Sequence, residues 1–263
     1  MSMKDLLERN IKDVIADYPA AGNVLQSFSI ACVTCHVGTC KLKDVVSIHS
    51  LTVEQEQDLF RQIAGVVFPG QNVELPKLER KAPSAGKKAQ MSPPVRELVD
   101  EHTYIKRVIA LIPRLAKSLG PRLSDSQKKT LLEVIDFIRN YADRFHHAKE
   151  EDILFKFFDE TSDIISSMYK EHEIGRAHIR AVAEGIEKGD SAAIVEHLPA
   201  YGELLKEHIR KEDEILYPWM DGQLTDSQVG QMFSKFRSVD EQFGNKPGDY
   251  RRWVGELEKE TAV

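Results

Sequence analysis

Apolar residues in this chain recur at helical spacing almost from end to end, and no stretch alternates as a strand would. Leu6, Leu7, Ile11, Val14 and Ile15 mark a first helix that Tyr18-Pro19 closes, and a short second helix is expected from Ala21 to Phe28. Thr52, followed three residues later by Gln55, is a capping-box signature, and Leu59, Ile63 and Val66 share one face of the helix it opens. Four long helices follow: Val95 to Lys117, Ser124 to Phe158, Ser162 to Lys188, and Ser191 to about Tyr217. Pro113 is expected to kink the first of these or end it early. The breaks at Gly120-Pro121, Asp159 to Thr161 and Gly189-Asp190 are short, so neighbouring helices should run antiparallel. Two more helices are expected, one from Thr225 with Val229, Met232, Phe233 and Phe236, the other from Asp249 to Glu260.

The pattern predicts an all-α protein. Residues 95–263 should form an up-down four-helix bundle with a C-terminal helical extension, preceded by a small helical module over residues 1–68. Residues 69–94 hold five of the eleven prolines (Pro69, Pro76, Pro83, Pro93, Pro94) and lack apolar periodicity. Such a composition cannot bury enough surface to offset ordering entropy, which predicts a flexible, solvated linker.

Charge and composition narrow the class. The 263 residues carry 36 Lys and Arg against 42 Asp and Glu, a net charge of −6, which argues against non-specific binding to nucleic acid or to an anionic membrane. The first fifteen residues are amphipathic and charged, with no uninterrupted apolar core, and no apolar run approaches the ~20 residues of a membrane span. Three cysteines, an odd number, without an export signal suggest a reducing compartment. The expectation is a soluble cytoplasmic protein.

The chemistry is concentrated in two nearly identical motifs. One runs from His146 to Phe155, the other from His208 to Tyr217, and each reads His-x-x-x-Glu, then acids, then Ile-Leu-aromatic. On an α-helix, residues four apart lie one turn apart on one face, so each motif can aim an imidazole and a carboxylate at one point. Counting back from His146 by 4, 8, 11 and 15 gives Ala142, Ile138, Ile135 and Leu131, an apolar face, whereas counting back from His147 gives Asp143, Asn140 and Asp136. His146 and Glu150 are therefore expected inside, His147 and Glu151 in solvent. His208 shares a face with Leu204 and Tyr201, with Glu212 its partner and Asp213 the alternative.

On the first and third long helices, His102 lies with Leu98, Ile105 and Ile109, and His172 with Met168, Ile165 and Ile179. His178 falls on the far side of its helix. His197 lies eleven residues before His208, about 16 Å away at ~1.5 Å per residue. The expected metal site is thus His102, His146, Glu150, His172, His208 and Glu212, one histidine per helix, with Glu171 and Asp213 as outer partners or alternative ligands. No residue is assigned a catalytic role, and zinc or manganese would satisfy the same donors as iron.

The pattern resembles the hemerythrin-like (HHE cation-binding) family. The resemblance covers residues 94 to about 221 and rests on Glu101-His102, His146-x-x-x-Glu150, Glu171-His172 through Arg176, and His208-x-x-x-Glu212 with Ile215-Leu216-Tyr217-Pro218. It implies a non-haem centre of two iron ions, oxo- or hydroxo-bridged, with two histidines on each. It also implies open positions for dioxygen, nitric oxide or peroxide. Oxygen-carrying relatives have a further histidine where this chain has Arg176, and their last carboxylate falls at i+5. Both departures look more like the di-iron proteins linked to repair of iron centres and to nitric-oxide stress, which carry a cysteine-bearing module in front of the bundle. An oxygen or redox sensor, signalling to a protein partner through that module, and an iron store are the alternatives.

Cys32, Cys35 and Cys40, with His36 adjacent, form the remaining cluster. Cys32-x-x-Cys35-His36 matches the c-type haem attachment motif, but that attachment requires export. A metal or iron–sulfur site, a reversible Cys32–Cys35 disulfide, and plain buried thiols all remain open. His36 and His49 belong to this module rather than to the bundle.

Overall fold

The computed structural model describes residues 1–28, 30, 41–48, 51–71, 73, 75 and 91–261. Cys32, Cys35, Cys40, His36, His49 and most of the proline-rich stretch lie outside the described residues, so the expectations for them rest on sequence alone. Among the described residues the secondary structure is helical, with one isolated antiparallel bridge between Asn10 and Lys41. No helix among them is long and apolar enough to cross a membrane.

Chain contacts define two compact units. The first comprises Met1–Lys88, Thr161–Ser167 and Pro218–Gln223; the second comprises Ala89–Glu160, Met168–Tyr217 and Leu224–Val263. In the first, α1 (Met3–Leu7), α2 (Ile11–Asp17), α3 (Pro19–Ser27), α4 (Leu42–Ile48) and α5 (Val53–Val67) enclose a core that includes Leu6, Ile11, Val14, Leu25, Leu59, Phe60 and Ile63. The single helix expected over Leu6 to Ile15 is split in two. The backbone between α1 and α2 is engaged from elsewhere: Leu42 N donates to Arg9 O at 3.0 Å, and Asn10 bridges Lys41. The apolar positions of both pieces still reach one core. Thr52 forms the expected cap, its Oγ1 accepting from Gln55 N at 3.2 Å while its own N–H donates to Gln55 Oε1 at 2.9 Å.

The second unit is built on α6 (Pro93–Ser118), α7 (Asp125–Phe137) with its continuation to Phe157, α8 (Asp163–Lys188) from Met168 onward, and α9 (Ser191–Lys211). After α10 (Tyr217–Gln223), α11 (Asp226–Phe243) and α12 (Lys246–Thr261) complete the chain. Pro113 lies inside α6, which continues to Ser118 instead of ending early.

Side-chain pairs give the directions. Glu101 meets His146 while Glu97 meets Lys149, Glu151 meets His172 while Asp143 meets Arg176, and His102 meets Asp213 while Gly202 approaches Ile112. In each pair of helices one number rises as the other falls, so neighbours run antiparallel and the bundle is up-down. Its core joins Ile105, Val108, Ile112, Val134, Phe137, Tyr141, Val182, Ile194, Leu198 and Leu205 with Val254 and Leu257 of α12. Gly185 allows a close approach of α8 to α9: a Cβ there would meet Ile194 Cγ1 at 2.9 Å.

Candidate metal centre

The second long helix is not regular where its ligands lie. After α7 the chain winds as a π-helix over Ile138–His147 and again over Glu150–Leu154, then tightens to a 3₁₀ turn at Phe155–Phe157. The fourth does the same over Glu212–Leu216, directly after α9. A π-helix bonds i to i+5 and so puts more residues into each turn. Successive side chains rotate through a smaller angle, and Phe145, His146 and His147 are all buried as consecutive residues. His147 was expected in solvent from an α-helical period, and the altered winding turns it inward. It is only 6 % exposed and stacks on His172 with ring centroids 3.9 Å apart.

Seven buried donors meet here in two groups, His147, Glu150, His172 and His208 in one, and His102, His146, Glu150 and Glu212 in the other. Within each group the ligand atoms lie within 4.8 Å of one another. All six residues expected to hold metal are brought together, and His147 is added to them. The histidines divide three and two, not two and two as the resemblance implied. Both glutamates span the division. Glu150 Oε2 lies 3.5 Å from His172 Nε2 and 3.9 Å from His146 Nε2. Glu212 Oε1 lies 3.1 Å from His208 Nε2, and its Oε2 lies 3.4 Å from His102 Nε2.

Four of the five imidazoles are fixed from behind by a hydrogen-bonded carboxylate, and the fifth, His147, has one nearby. His102 Nδ1 pairs with Asp213 at 2.7 Å, His146 Nδ1 with Glu101 at 2.9 Å, His172 Nδ1 with Glu151 at 2.6 Å and His208 Nδ1 with Glu171 at 2.8 Å. His147 Nδ1 lies 3.4 Å from Asp143. This arrangement turns Nδ1 of His102, His146, His172 and His208 toward an acid and Nε2 toward the centre. The acids are held in turn by cations: Asp213 by Lys106, Glu101 by Lys149, Glu151 and Asp143 by Arg176, and Glu171 by Lys211. Asp213 and Glu171 thus stand behind ligand histidines, and Glu151, expected in solvent, does the same. Arg176 joins the two carboxylates behind His147 and His172. His178 and His197 lie apart from the centre and pair with each other, their Nδ1 atoms 3.1 Å apart.

The site passes a test of fit for metal. His102 Nε2, His146 Nε2, Glu150 Oε2 and both oxygens of Glu212 are buried without a hydrogen bond. Orphaned polar atoms cost about 1–3 kcal/mol each, so five in one place need an explanation, and a shared cation supplies it. His172 Nε2 and His208 Nε2 are 2.9 Å apart, a separation that two imidazoles on one ion can adopt at ~2.0–2.1 Å each. Tyr217 donates to the other oxygen of Glu150 and stacks on His102 at 5.6 Å.

Electrostatics agree. Burial and the neighbouring His102 and His147 drive His146 well below the usual imidazole range, and burial with His147 and His208 does the same for His172. Both are therefore neutral donors. Burial would lower His208 too, but Glu212 and Glu171 outweigh it and push it up to about 9. Burial and the Glu212 charge hold Glu150 well above the carboxylate range. For Glu212, burial acts upward, but His208 and His102 prevail and keep it ionised. Without metal, protons on Glu150 and His208 thus offset the charge of two carboxylates. A cation at the centre would take over that work.

A helical bundle with a buried, carboxylate-backed cluster of five histidines and two glutamates belongs to the class of metal-binding four-helix bundles. Residues 93–220 match the family described as the hemerythrin HHE cation binding domain. The match covers just under half of the chain and is to a metal-binding helical domain. No curated protein and no solved structure matches the chain.

Proposed function

We propose that the bundle holds two iron ions and uses them to handle dioxygen, nitric oxide or peroxide, in iron-centre repair or the response to nitric-oxide and oxygen stress. The observation that supports this reading is the donor set: buried, inward-facing Nε2 and carboxylate oxygens without a hydrogen bond among the described residues. His147, His172 and His208 would hold one ion and His102 and His146 the other, with Glu150 and Glu212 shared between them. When bound, the ions supply Lewis acidity and a reversible electron to a small ligand.

The chain's own residues prepare the place. The carboxylates behind the histidines fix ring orientation and tautomer, and Tyr217 keeps one oxygen of Glu150 engaged. The side formed by His102 and His146 has one protein nitrogen fewer and would leave one more coordination position to an outside ligand. The N-terminal module with Cys32, Cys35 and Cys40 would serve as a redox or partner-binding unit tethered through residues 69–94.

A second reading, reversible binding or sensing without turnover, is favoured by His147. It raises the histidine count to five, the number that the oxygen-carrying relatives have. The experiment is metal analysis of protein purified without added metal, followed by stopped-flow mixing of the reduced protein with nitric oxide and with dioxygen. About two irons per chain and catalytic consumption are expected. A stable adduct would move the assignment to the sensor, and ready loss of iron to a chelator would move it to a store. Less than one metal per chain would overturn the metal-centre reading.

A further inference from the structure

Lys149 is wholly buried, a position a lysine occupies only when its charge is matched. Its Nζ lies 2.6 Å from Glu97 Oε1, 2.6 Å from Glu101 Oε1 and 2.9 Å from Asp240 Oδ1. All three ammonium protons are used. The ring of Phe145 lies 3.9 Å below it and that of Phe236 5.3 Å away, which closes the group off from water. Arg237 completes the cluster by pairing with Glu97 and Asp240. Glu101 accepts from Lys149 on one oxygen and from His146 Nδ1 on the other. An unbroken line of charge-assisted bonds therefore runs from Asp240 on α11 through Lys149 and Glu101 to His146.

The cations behind the other histidines are open to water: the Lys106 side chain is 50 % exposed, Arg176 24 % and Lys211 19 %. Solvent can screen those acids if the cation moves. Among the described residues, the cation paired with Glu101 is the fully buried Lys149. Asp240, Arg237 and Phe236 also lie beyond residues 93–220, the segment that matches the cation-binding family.

We propose that Lys149 is a positioning residue for His146, and that α11, through Asp240, is a working part of the support of the metal centre. Lys149 keeps Glu101 in place, and Glu101 sets the ring orientation of His146. Asp240 and Glu97 hold the ammonium where it can do this. The inference rests on the metal-centre reading above.

The test uses the full-length holoprotein and compares Lys149→Met, Lys149→Arg and Asp240→Asn with wild type. Metal affinity is read by chelator competition, and the two iron environments by Mössbauer spectroscopy. Lys149→Met should weaken one of the two metal positions about 10–100-fold, the usual effect of losing a partner behind a ligand, and alter one iron signal. Lys149→Arg should restore most of the affinity. Asp240→Asn should act in the same direction and more weakly. It decides the matter if Lys149→Met does not fold.

Glu258→Gln is the control. It breaks the Arg107–Glu258 pair, which ties α12 to α6 without touching Lys149, and should leave affinity and spectrum unchanged. Wild-type affinity and spectrum in Lys149→Met and Asp240→Asn would overturn the proposal, as would an equal loss in Glu258→Gln. A wild type without metal would sink the metal-centre reading and this inference together, whereas a wild type with metal and unaffected variants would sink this inference alone.

Discussion

Adjacent histidines on one helix have different tasks only if the backbone decides which faces the core, and here the π-winding admits both. His147 stacks on His172 and lies in the same donor group as His172 and His208. His147→Ala should therefore lower metal affinity by at least the ~10–100-fold typical of losing an outer partner, and it should act on the three-histidine side. His178→Ala removes a histidine paired only with His197 and should leave affinity unchanged. Chelator competition on both variants checks this; equal affinity of His147→Ala and wild type would return His147 to a packing role. Six of the seven donors stand on faces that a 3.6-residue period already marks in the sequence, because each lies in register with apolar neighbours such as Leu98, Ala142 and Leu204. His147 falls in register with Asp143 and Asn140, and only the altered winding places it with the others. The roles of Glu101, Glu151 and Asp143 were hidden for other reasons. Glu101 and Glu151 each back a histidine on another helix, and such pairs leave no trace in local spacing. Asp143 lies one turn before His147 on the same helix, and its role was hidden only because an α-helical period puts that face in solvent.

The long helices were legible because their apolar stripes and short breaks are local signals, and the caps at Thr52, Ser124 and Thr225 follow from residues three apart. The π-segments were not legible. They cost local hydrogen-bond regularity, and what offsets that cost is the set of contacts across the bundle around Glu150 and Glu212. The split between α1 and α2 was hidden likewise, since residues 41 and 42 supply its partners. Helix spacing gives a test at this scale. At Gly230, exposed inside α11, an added methyl meets nothing within 4 Å, so Gly230→Ala should stabilise by about 0.5–1 kcal/mol through helix propensity alone. At Gly185 the methyl would sit 2.9 Å from Ile194 Cγ1 and 3.1 Å from the Asp190 carbonyl oxygen. Overpacking of that kind costs about 1–3 kcal/mol and should exceed the propensity gain, so Gly185→Ala should destabilise. Thermal denaturation of the two variants should move the midpoint in opposite directions; a rise for both would mean that α8 and α9 can separate at little cost.

At the scale of the whole molecule, the candidate metal donors found among the described residues lie in one of the two compact units. All seven donors, the five carboxylates behind them and the cations that hold those carboxylates lie within Ala89–Glu160, Met168–Tyr217 and Leu224–Val263. Val254 and Leu257 also carry α12 into that unit's core, so the C-terminal helices belong to the bundle's packing. The three cysteines lie outside the described residues, and the seven donors are all histidines and glutamates. Replacing Cys32, Cys35 and Cys40 together by Ala should therefore leave the metal held by the bundle unchanged in amount, affinity and Mössbauer spectrum. The comparison also separates two roles for the thiols. If the wild type carries metal beyond about two ions per chain and the triple variant loses only that excess, the thiols hold a metal or cluster of their own. If both carry the same amount and the wild type alone consumes two oxidising equivalents before its thiols become unreactive, the cysteines form a reversible disulfide. A loss of the bundle's own iron in the triple variant would contradict the confinement of the donors to one unit and would require the N-terminal module to take part in assembling the centre.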